Sequence, residues 1–286
     1  MSRTSLKGIP PLQDLLHPIS GGRVPLPPVL ERLYGELRLS RPSGRPYVLA
    51  NFASTLDGVV AVDGSTSGGS EVSGFNDHDR MVMGLLRAVA EVIVVGAGTL
   101  RAVPRHLWSP QGFFPALDPA FQAVRASLGL SPSPRLVFVS ARGEIDLGLP
   151  AFRTGARDVQ VFTTPSGRAR LSGQELPPGV DLWVAGEGPR LRPSSILRGL
   201  QRKGTVRTVL VEGGPSLFGD FLTSGLVDEL FLTLSPFVGG RDAAHRDRGL
   251  VEGHRFSPPT SLGATLVGLQ RGGSHLFLRY RFPARR

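Results

Sequence analysis

Apolar positions along this chain follow two repeats, and their order predicts alternating strands and helices. Short β-branched runs, which are typical of buried strands, occur at residues 47–53, 92–95, 136–139, 159–162, 182–185 and 206–211. Apolar residues at helical spacing predict helices near residues 77–90, 121–128, 196–200 and 217–222. A short strand is expected at 59–62, and three more follow one another at 229–234, 264–269 and 276–280. We therefore expect an α/β fold with a mostly parallel sheet and an antiparallel C-terminal edge.

Residues 1–45 differ from the rest of the chain because they are rich in Pro, Gly and Arg. Within them, apolar residues recur at helical spacing after Pro27-Pro28, namely Leu26, Val29, Leu30, Leu33 and Leu37. This pattern predicts one short helix, while the remainder is expected to be extended or disordered. We therefore expect an N-terminal extension over residues 1–45 and a single domain over residues 46–286.

The composition limits the chemistry available to the chain. It has 286 residues, 40% hydrophobic and 20% charged, with no apolar run of membrane-spanning length and no signal-peptide pattern, so a cytoplasmic location without a membrane partner is expected. Because the Cys count is 0, disulfides, thiolate zinc sites and cysteine nucleophiles are excluded. The six histidines show no metal-ligand spacing, so no metal is expected.

The net charge of +10 comes almost entirely from arginine, since lysine occurs only at positions 7 and 203. The planar guanidinium suits phosphate, so the charge indicates a phosphorylated small molecule, a nucleic acid or merely a genomic bias toward arginine. The arginines are scattered, and the aromatic residues, at 7%, form no stacking motif. We therefore expect no nucleic-acid partner.

Three predicted strands end in loops of small residues, at 54–58, 96–99 and 212–216. In the last of these, Glu212 and two glycines precede Pro215, which suits the first position of a helix. Bare backbone and a helix N-terminus favour an anion, and the alternative interpretation is a strand–helix turn without a ligand. If the three strands are parallel neighbours, their loops line one crevice suited to phosphate and ribose.

Individual residues in and near these loops keep alternative interpretations. Asp57 precedes glycine after a strand, so it is a turn residue or, less favoured, an acid. Arg87 is equally consistent with a phosphate contact and with a structural ion pair. The segment Gly96-Ala97-Gly98 begins like a dinucleotide fingerprint, but Arg101 replaces the third glycine. His78, near a helix start, is a weak candidate for a substrate contact.

Six segments in a characteristic order resemble the RibD C-terminal family, the reductase domain of riboflavin biosynthesis, which has a dihydrofolate-reductase-like fold. They are residues 51–58, 86–88, 94–99, 135–140, 211–217 and 225–230, and together they cover about residues 47–240. Stand-alone proteins of the pyrimidine reductase family resemble the chain most. The resemblance implies a three-layer α/β/α reductase domain over residues 46–286 and a homodimer.

The same resemblance implies NADPH-dependent reduction of the ribose in a ribosylamino-pyrimidine 5′-phosphate to ribitol, as in a 5-amino-6-(5-phosphoribosylamino)uracil reductase. It assigns a cofactor-binding set that comprises Ser54, Gly96, Gly98, Thr99, Ser140, Gly213, Gly214, Pro215, Ser216 and Leu217. Arg142 joins this set on charge and position alone, as a contact for the 2′-phosphate of NADPH. The substrate-side set comprises Asn51, Arg87, Arg105 and Glu212. Asp57 and Glu212 are weak candidates for a proton donor, and water or the substrate would serve otherwise.

The chain departs from the family pattern after Thr99. An Asp-Pro-x-Leu-Thr-x-Arg segment that helps to hold substrate is replaced by residues 100–108, where only Arg105 would substitute for the missing arginine. The 65–74 loop also lacks a tryptophan often found there. The zinc deaminase fused to some relatives is not expected, because its ligands include cysteine. The alternatives are a dihydrofolate- or pteridine-type reductase on the same scaffold and a catalytically silent nucleotide-binding protein.

Overall fold

The computed structural model describes residues 9–17, 20–65, 68–110, 114–153, 158–186, 188, 190–257 and 262–283. The strands are β1 (Gln13–Leu16), β2 (Gly22–Arg23), β3 (Arg38–Leu39), β4 (Tyr47–Ser54), β5 (Val59–Ala61), β6 (Val92–Gly96), β7 (Arg135–Ser140), β8 (Val159–Thr163), β9 (Val180–Val184), β10 (Thr208–Val211), β11 (Glu229–Leu234), β12 (Arg248–Gly249), β13 (Thr265–Gly272) and β14 (His275–Arg281). The helices are α1 (Pro28–Tyr34), α2 (Gly69–Val72), α3 (Asp77–Val89), α4 (Ala97–Ala102), α5 (Asp118–Ser127), α6 (Pro165–Leu171), α7 (Pro193–Gln201) and α8 (Pro215–Thr223).

A ten-stranded sheet runs through the molecule in the order β1-β13-β14-β11-β4-β10-β6-β7-β8-β9. Every neighbouring pair from β11 to β9 is parallel. The pairs β11–β14, β14–β13 and β13–β1 are antiparallel. The predicted parallel sheet with an antiparallel C-terminal edge is confirmed.

Both faces of the sheet are covered, because alternate residues of the central strands enter two separate hydrophobic clusters. Leu49, Ile93 and Phe138 pack with α1, α3 and α5 on one face. Val48 and Val94, which point the other way, pack with α7 and α8 on the opposite face. Strands buried on both faces are continuous apolar runs in the sequence, which is why the sequence pattern predicted their positions. The three-layer α/β/α arrangement follows.

The extension expected over residues 1–45 contributes to this core. Strand β1 pairs with β13 at the edge of the sheet, and Leu30 and Leu33 of α1 are fully buried. The carbonyl of Pro10 lies 2.8 Å from Nε2 of His78, so this histidine fastens the extension to α3. The helix after Pro27 is confirmed, whereas the division of the chain at residue 45 stays a prediction.

Three helices differ from the sequence-based expectations. Helix α4 begins where a loop was expected, because Ala97 and Leu100 pack into the core. Helix α2 lies within the expected 65–74 loop and buries Val72. Helix α6 has local signals, a Thr164 side chain that caps Gly167 and Pro165 at its first position, but too few apolar residues to show periodicity. Within the described ranges, no helix has the length and apolar character needed to cross a membrane.

Candidate functional site

A cavity of about 1030 Å³ opens at the carboxyl ends of the central parallel strands. Strands β4, β10 and β6 are adjacent and parallel, so the three small-residue loops that follow them lie at one edge of the sheet, as expected. Of the predicted site residues, those that line the cavity are Asn51, Arg87, Gly96, Gly98, Thr99, Ser140, Arg142, Glu212, Gly213, Gly214, Pro215, Ser216 and Leu217. This volume is in the upper range of small-ligand sites.

The turn from β10 into α8 presents backbone to the cavity. Gly214 is the N-cap of α8, no side chain caps the helix, and Pro215 occupies its first turn. The amides of Ser216 and Leu217 therefore lack an intrahelical acceptor and lie at the positive end of the helix dipole. Such a terminus favours an anion such as a phosphate.

Glycine is required at this turn by close packing. A Cβ on Gly213 would lie 2.8 Å from the backbone nitrogen of Gly96, and one on Gly214 would lie 3.0 Å from Oγ1 of Thr99. The turns after β10 and β6 therefore touch each other. Gly98 is different, because nothing lies within 4 Å of its hypothetical Cβ. Its missing side chain leaves space rather than relieving a clash.

The wall beyond β7 carries Ser140 and Arg142. The Ser140 hydroxyl accepts a hydrogen bond from the amide of Glu144 at 3.1 Å. Arg142 is 76% exposed and lies 3.3 Å from a carboxylate oxygen of Glu144, so it is a solvent-facing cation at the rim. A guanidinium in this position has the charge and the donors to bind a phosphate group.

The expectation that the 54–58 loop lines the cavity is wrong, since neither Ser54 at the end of β4 nor Asp57 in the turn after it borders the cavity. Ser54 is buried, and its hydroxyl donates to the carbonyl of Thr55 at 2.9 Å. Asp57 is exposed and accepts hydrogen bonds from the amides of Gly239 and Gly240 at 2.9 and 2.7 Å. The Thr55 hydroxyl and these amides lower the pKa of Asp57 to about 2. An ionised carboxylate in a turn matches the turn interpretation and has no proton to donate at neutral pH.

Arg87 and Glu212 form a buried ion pair in the cavity wall, with side chains 2% and 7% exposed. The guanidinium donates to both carboxylate oxygens, through Nε at 2.9 Å and Nη2 at 2.7 Å. It also donates from Nη1 to the carbonyl of Ser109 at 3.2 Å. Of the two interpretations of Arg87, the ion pair is therefore present, and the pair as a whole borders the cavity.

The altered segment after Thr99 brings His106, rather than Arg105, to the site. Arg105 is exposed and does not border the cavity, whereas His106 lines it with Nε2 2.9 Å from Nη2 of Arg87. Burial and the nearby Arg87 charge lower the pKa of His106 to about 3, so its ring is neutral. Its approach depends on how residues 103–109 pack, for which the sequence carries no spacing signal.

Asp79 also borders the cavity, and sequence analysis did not single it out. It lies in the first turn of α3, on the same face as Met83 and Arg87, and is 3% exposed. Burial raises the pKa of Asp79, although hydrogen bonds with the Thr233 and Ser73 side chains and the nearby His275 oppose this. His78, beside it in sequence, does not line the cavity.

A parallel sheet whose central strands end at a glycine-lined cavity defines an α/β protein with its ligand site at the carboxyl ends of the strands. The chain belongs to the family described as the RibD C-terminal domain, whose model matches residues 46–277. It is 30% identical over 200 residues to the 2,5-diamino-6-ribosylamino-4(3H)-pyrimidinone 5′-phosphate reductase of Archaeoglobus fulgidus, covering 70% of this chain and 84% of the relative.

The chain spans about half the length of the curated relatives named RibD. It is 27% identical to the RibD protein of Mycobacterium tuberculosis over 211 residues, which cover 73% of this chain and 48% of that protein. Among solved structures, a pyrimidine reductase-like protein of Corynebacterium diphtheriae superposes with a TM-score of 0.63 at 22% identity, covering 84% of this chain and 93% of that one. The expected dihydrofolate-reductase-like fold is confirmed.

Proposed function

We propose that the chain is an oxidoreductase of riboflavin biosynthesis that uses NADPH to reduce the ribose of a ribosylamino-pyrimidine 5′-phosphate to ribitol. The observation that carries the proposal is one cavity shared by β4 and by the loops after β6 and β10, with the uncapped end of α8 and the Arg87–Glu212 pair in its wall. The Archaeoglobus fulgidus relative, named as a reductase of such a pyrimidine, supports it.

The donors around the cavity fit a dinucleotide. The free amides of Ser216 and Leu217 suit a pyrophosphate, the open space at Gly98 admits a ligand close to the backbone, and Thr99 and Ser140 offer hydroxyls. Arg142 would hold the 2′-phosphate that distinguishes NADPH from NADH. When bound, NADPH supplies the hydride, and this chain's residues bind, orient and exclude water.

On the substrate side, Glu212 and His106 hold the Arg87 guanidinium in a fixed orientation in the cavity wall. Asn51, half-buried within β4, borders the same space. Glu212 directs both carboxylate oxygens at Arg87, and Asp57 lies outside the cavity, so neither is placed as a proton donor. The proton for the reduced product would come from water or from the substrate itself.

A cytoplasmic homodimer belongs to the same proposal. Exposed apolar side chains at Leu56, Phe75, Phe237 and Val238 would suit a partner surface, and the Leu56 amide donates to the Phe237 carbonyl at 2.8 Å, which joins two of their segments. The molar mass from light scattering during size-exclusion chromatography tests the stoichiometry. A mass of one chain at micromolar concentration would contradict it.

The cofactor proposal is tested by thermal denaturation with NADPH, with NADH and without ligand. NADPH is expected to raise Tm, because a ligand that binds only the folded state stabilises that state. The increase should be larger than with NADH, which lacks the 2′-phosphate that Arg142 would hold. The Arg142→Ala variant should lose about tenfold to a hundredfold in NADPH affinity, the range for a hydrogen bond to a charged group, with little change for NADH. No shift with either nucleotide would contradict the proposal.

The reaction is tested by NADPH oxidation with the ribosylamino-pyrimidine phosphate as substrate, followed by mass analysis of the product for the added hydrogens.

A second candidate, reduction of a dihydropterin, is favoured by one observation, the buried Asp79 carboxyl in the cavity wall. A pterin ring offers N–H groups that such a carboxyl would bind. NADPH oxidation with dihydrofolate but not with the pyrimidine would favour this candidate.

A further inference from the structure

Asp79 lies in the cavity wall but does not take part in the Arg87–Glu212 ion pair. Within the described ranges, no salt bridge involves its carboxyl. Its polar neighbours include Thr233 of β11 and Ser73 before α3, which favour the ionised carboxylate and oppose the effect of burial on its pKa. Asn76 caps the helix by accepting from the amide of Asp79 at 3.1 Å, which fixes the backbone at this position. A buried carboxyl is costly, so one that borders a cavity indicates a polar ligand edge.

The separation of Asp79 and Arg87 suits two ends of one substrate. They lie on the same face of α3, eight residues apart, which corresponds to about 12 Å along a helix. Arg87 provides a guanidinium, paired with Glu212, and Asp79 provides two carboxyl oxygens. A molecule with a phosphate at one end and a heterocycle rich in N–H groups at the other complements this arrangement.

The relatives act on two ring types that differ at the edge a carboxylate would contact. The Archaeoglobus fulgidus reductase is named for a 2-amino-4-oxopyrimidine, whereas a solved relative from Thermotoga maritima is named for a uracil. The first ring offers two donors side by side, the ring N–H and the 2-amino group. At the same edge the uracil ring offers the N3–H beside the C2 carbonyl, and this carbonyl would face a carboxylate oxygen acceptor to acceptor.

Resting on the proposed function, we propose that Asp79 binds the pyrimidine ring and selects the 2-amino-4-oxopyrimidine over the uracil. The ionised carboxylate accepts one hydrogen bond from the ring N–H and one from the 2-amino group. A donor–donor edge is matched, and the uracil edge is rejected because one acceptor remains unpaired.

The substitution Asp79→Asn tests this because an amide has one acceptor and one donor, which complements the uracil edge and opposes the 2-amino edge. Affinities of both ribosylaminopyrimidine phosphates are measured by calorimetry, and kcat/KM by NADPH oxidation. The wild type should favour the 2-amino compound. The variant should lose about tenfold to a hundredfold on that compound and little or nothing on the uracil, consistent with loss of a charged hydrogen bond.

The matched control is Asp77→Asn, in the same helical turn, with a carboxyl that lies 3.5 Å from Arg80 and does not border the cavity. It should leave both affinities unchanged. NADPH binding and Tm report whether each variant is folded. A merely structural role for Asp79 would weaken both pyrimidines equally, and that result would overturn the proposal.

A second readout needs no variant. The preference of the wild type for the 2-amino compound should rise with pH as Asp79 ionises and should be flat in Asp79→Asn. The other titratable groups that act on Asp79 are Glu212 after β10 and His275 of β14, and both remain in the variant. A preference that changes with pH in the same way in the wild type and in Asp79→Asn would overturn the proposal.

The calorimetric affinities distinguish a failure of this proposal from a failure of the proposed reaction. Selective binding of the 2-amino compound without turnover would support the role of Asp79 and contradict the reductase. Turnover of the uracil in preference to the 2-amino compound would support the reductase and contradict the role of Asp79. Absence of binding to either pyrimidine would contradict both.

Discussion

Gly213 and Gly98 border the same cavity, yet different physical reasons account for the missing side chain. At Gly213 the neighbouring backbone of Gly96 would be struck, and at Gly98 there is open space. Sequence alone makes these two glycines equivalent members of small-residue loops. Their substitution by alanine should therefore separate a folding effect from a binding effect.

Gly213→Ala should destabilise the protein by about 1–3 kcal/mol, the usual cost of overpacking, because the Gly96 backbone cannot move as a side chain can. Urea denaturation measures the change in the free energy of unfolding. An unchanged midpoint would contradict the close contact between the turns after β6 and β10.

Gly98→Ala should keep or slightly raise stability, because alanine favours the helix of α4 by up to about 1 kcal/mol. The added methyl group enters the proposed cofactor space, so NADPH affinity should fall by about tenfold, equivalent to about 1.4 kcal/mol. Calorimetric titration gives the affinity, and Gly129→Ala, a glycine with φ +66° at a turn outside the cavity lining, shows the effect of a remote glycine substitution.

At the scale of elements, the N-terminal extension is part of the core rather than an appendage. Helix α1 buries Leu30, Leu33 and Tyr34 beneath the sheet, and β1 hydrogen-bonds with β13. Arg281 of β14 adds a bond from Nη2 to the hydroxyl of Ser40 at 3.0 Å. The extension and the C-terminal strands therefore stabilise each other.

Leu33→Ala should cost about 2–5 kcal/mol, because the side chain is 0% exposed and its removal leaves a cavity. Leu15 lies on β1 and is 49% exposed, so Leu15→Ala should change the free energy of unfolding by less than about 0.5 kcal/mol. Denaturant unfolding of both variants tests this contrast. Equal effects would show that the packing of α1 contributes little.

At the scale of the whole molecule, buried titratable groups make stability depend on pH in opposite directions. The pKa of His106 falls from 6.5 to about 3 on folding, so the unfolded state binds more protons between these values. The free energy of unfolding therefore decreases as the pH falls from about 6.5 toward 3. Asp79 has the opposite effect. Because folding raises its pKa, the free energy of unfolding decreases as the pH rises above 3.8, the ordinary pKa of an aspartate.

The His106→Gln variant isolates one of these effects, since glutamine does not titrate and its carbonyl oxygen still accepts from Arg87. As the pH falls below 6.5, the wild type should lose stability relative to the variant by up to about 1.4 kcal/mol per pH unit. Denaturation of both proteins across this pH range measures the difference. Parallel curves would contradict the low pKa of His106.

The local pattern of the chain was sufficient for the layers, the parallel core and the edge where ligands would bind. Doubly buried strands such as β6 and β10 are continuous apolar runs, and carboxyl ends of parallel neighbours meet at one sheet edge whatever the details of packing. The glycine turn after β10 and the helix behind it are likewise local features, so Gly213 and Gly214 were predictable.

Tertiary structure decided which side chains face the cavity. Asp79 has a local signature indistinguishable from any acid in a first helical turn, and only burial against Thr233 makes it unusual. His106, not Arg105, meets Arg87 because of how residues 103–109 pack. Such contacts join residues far apart in the chain, and neither apolar periodicity nor motif spacing encodes them.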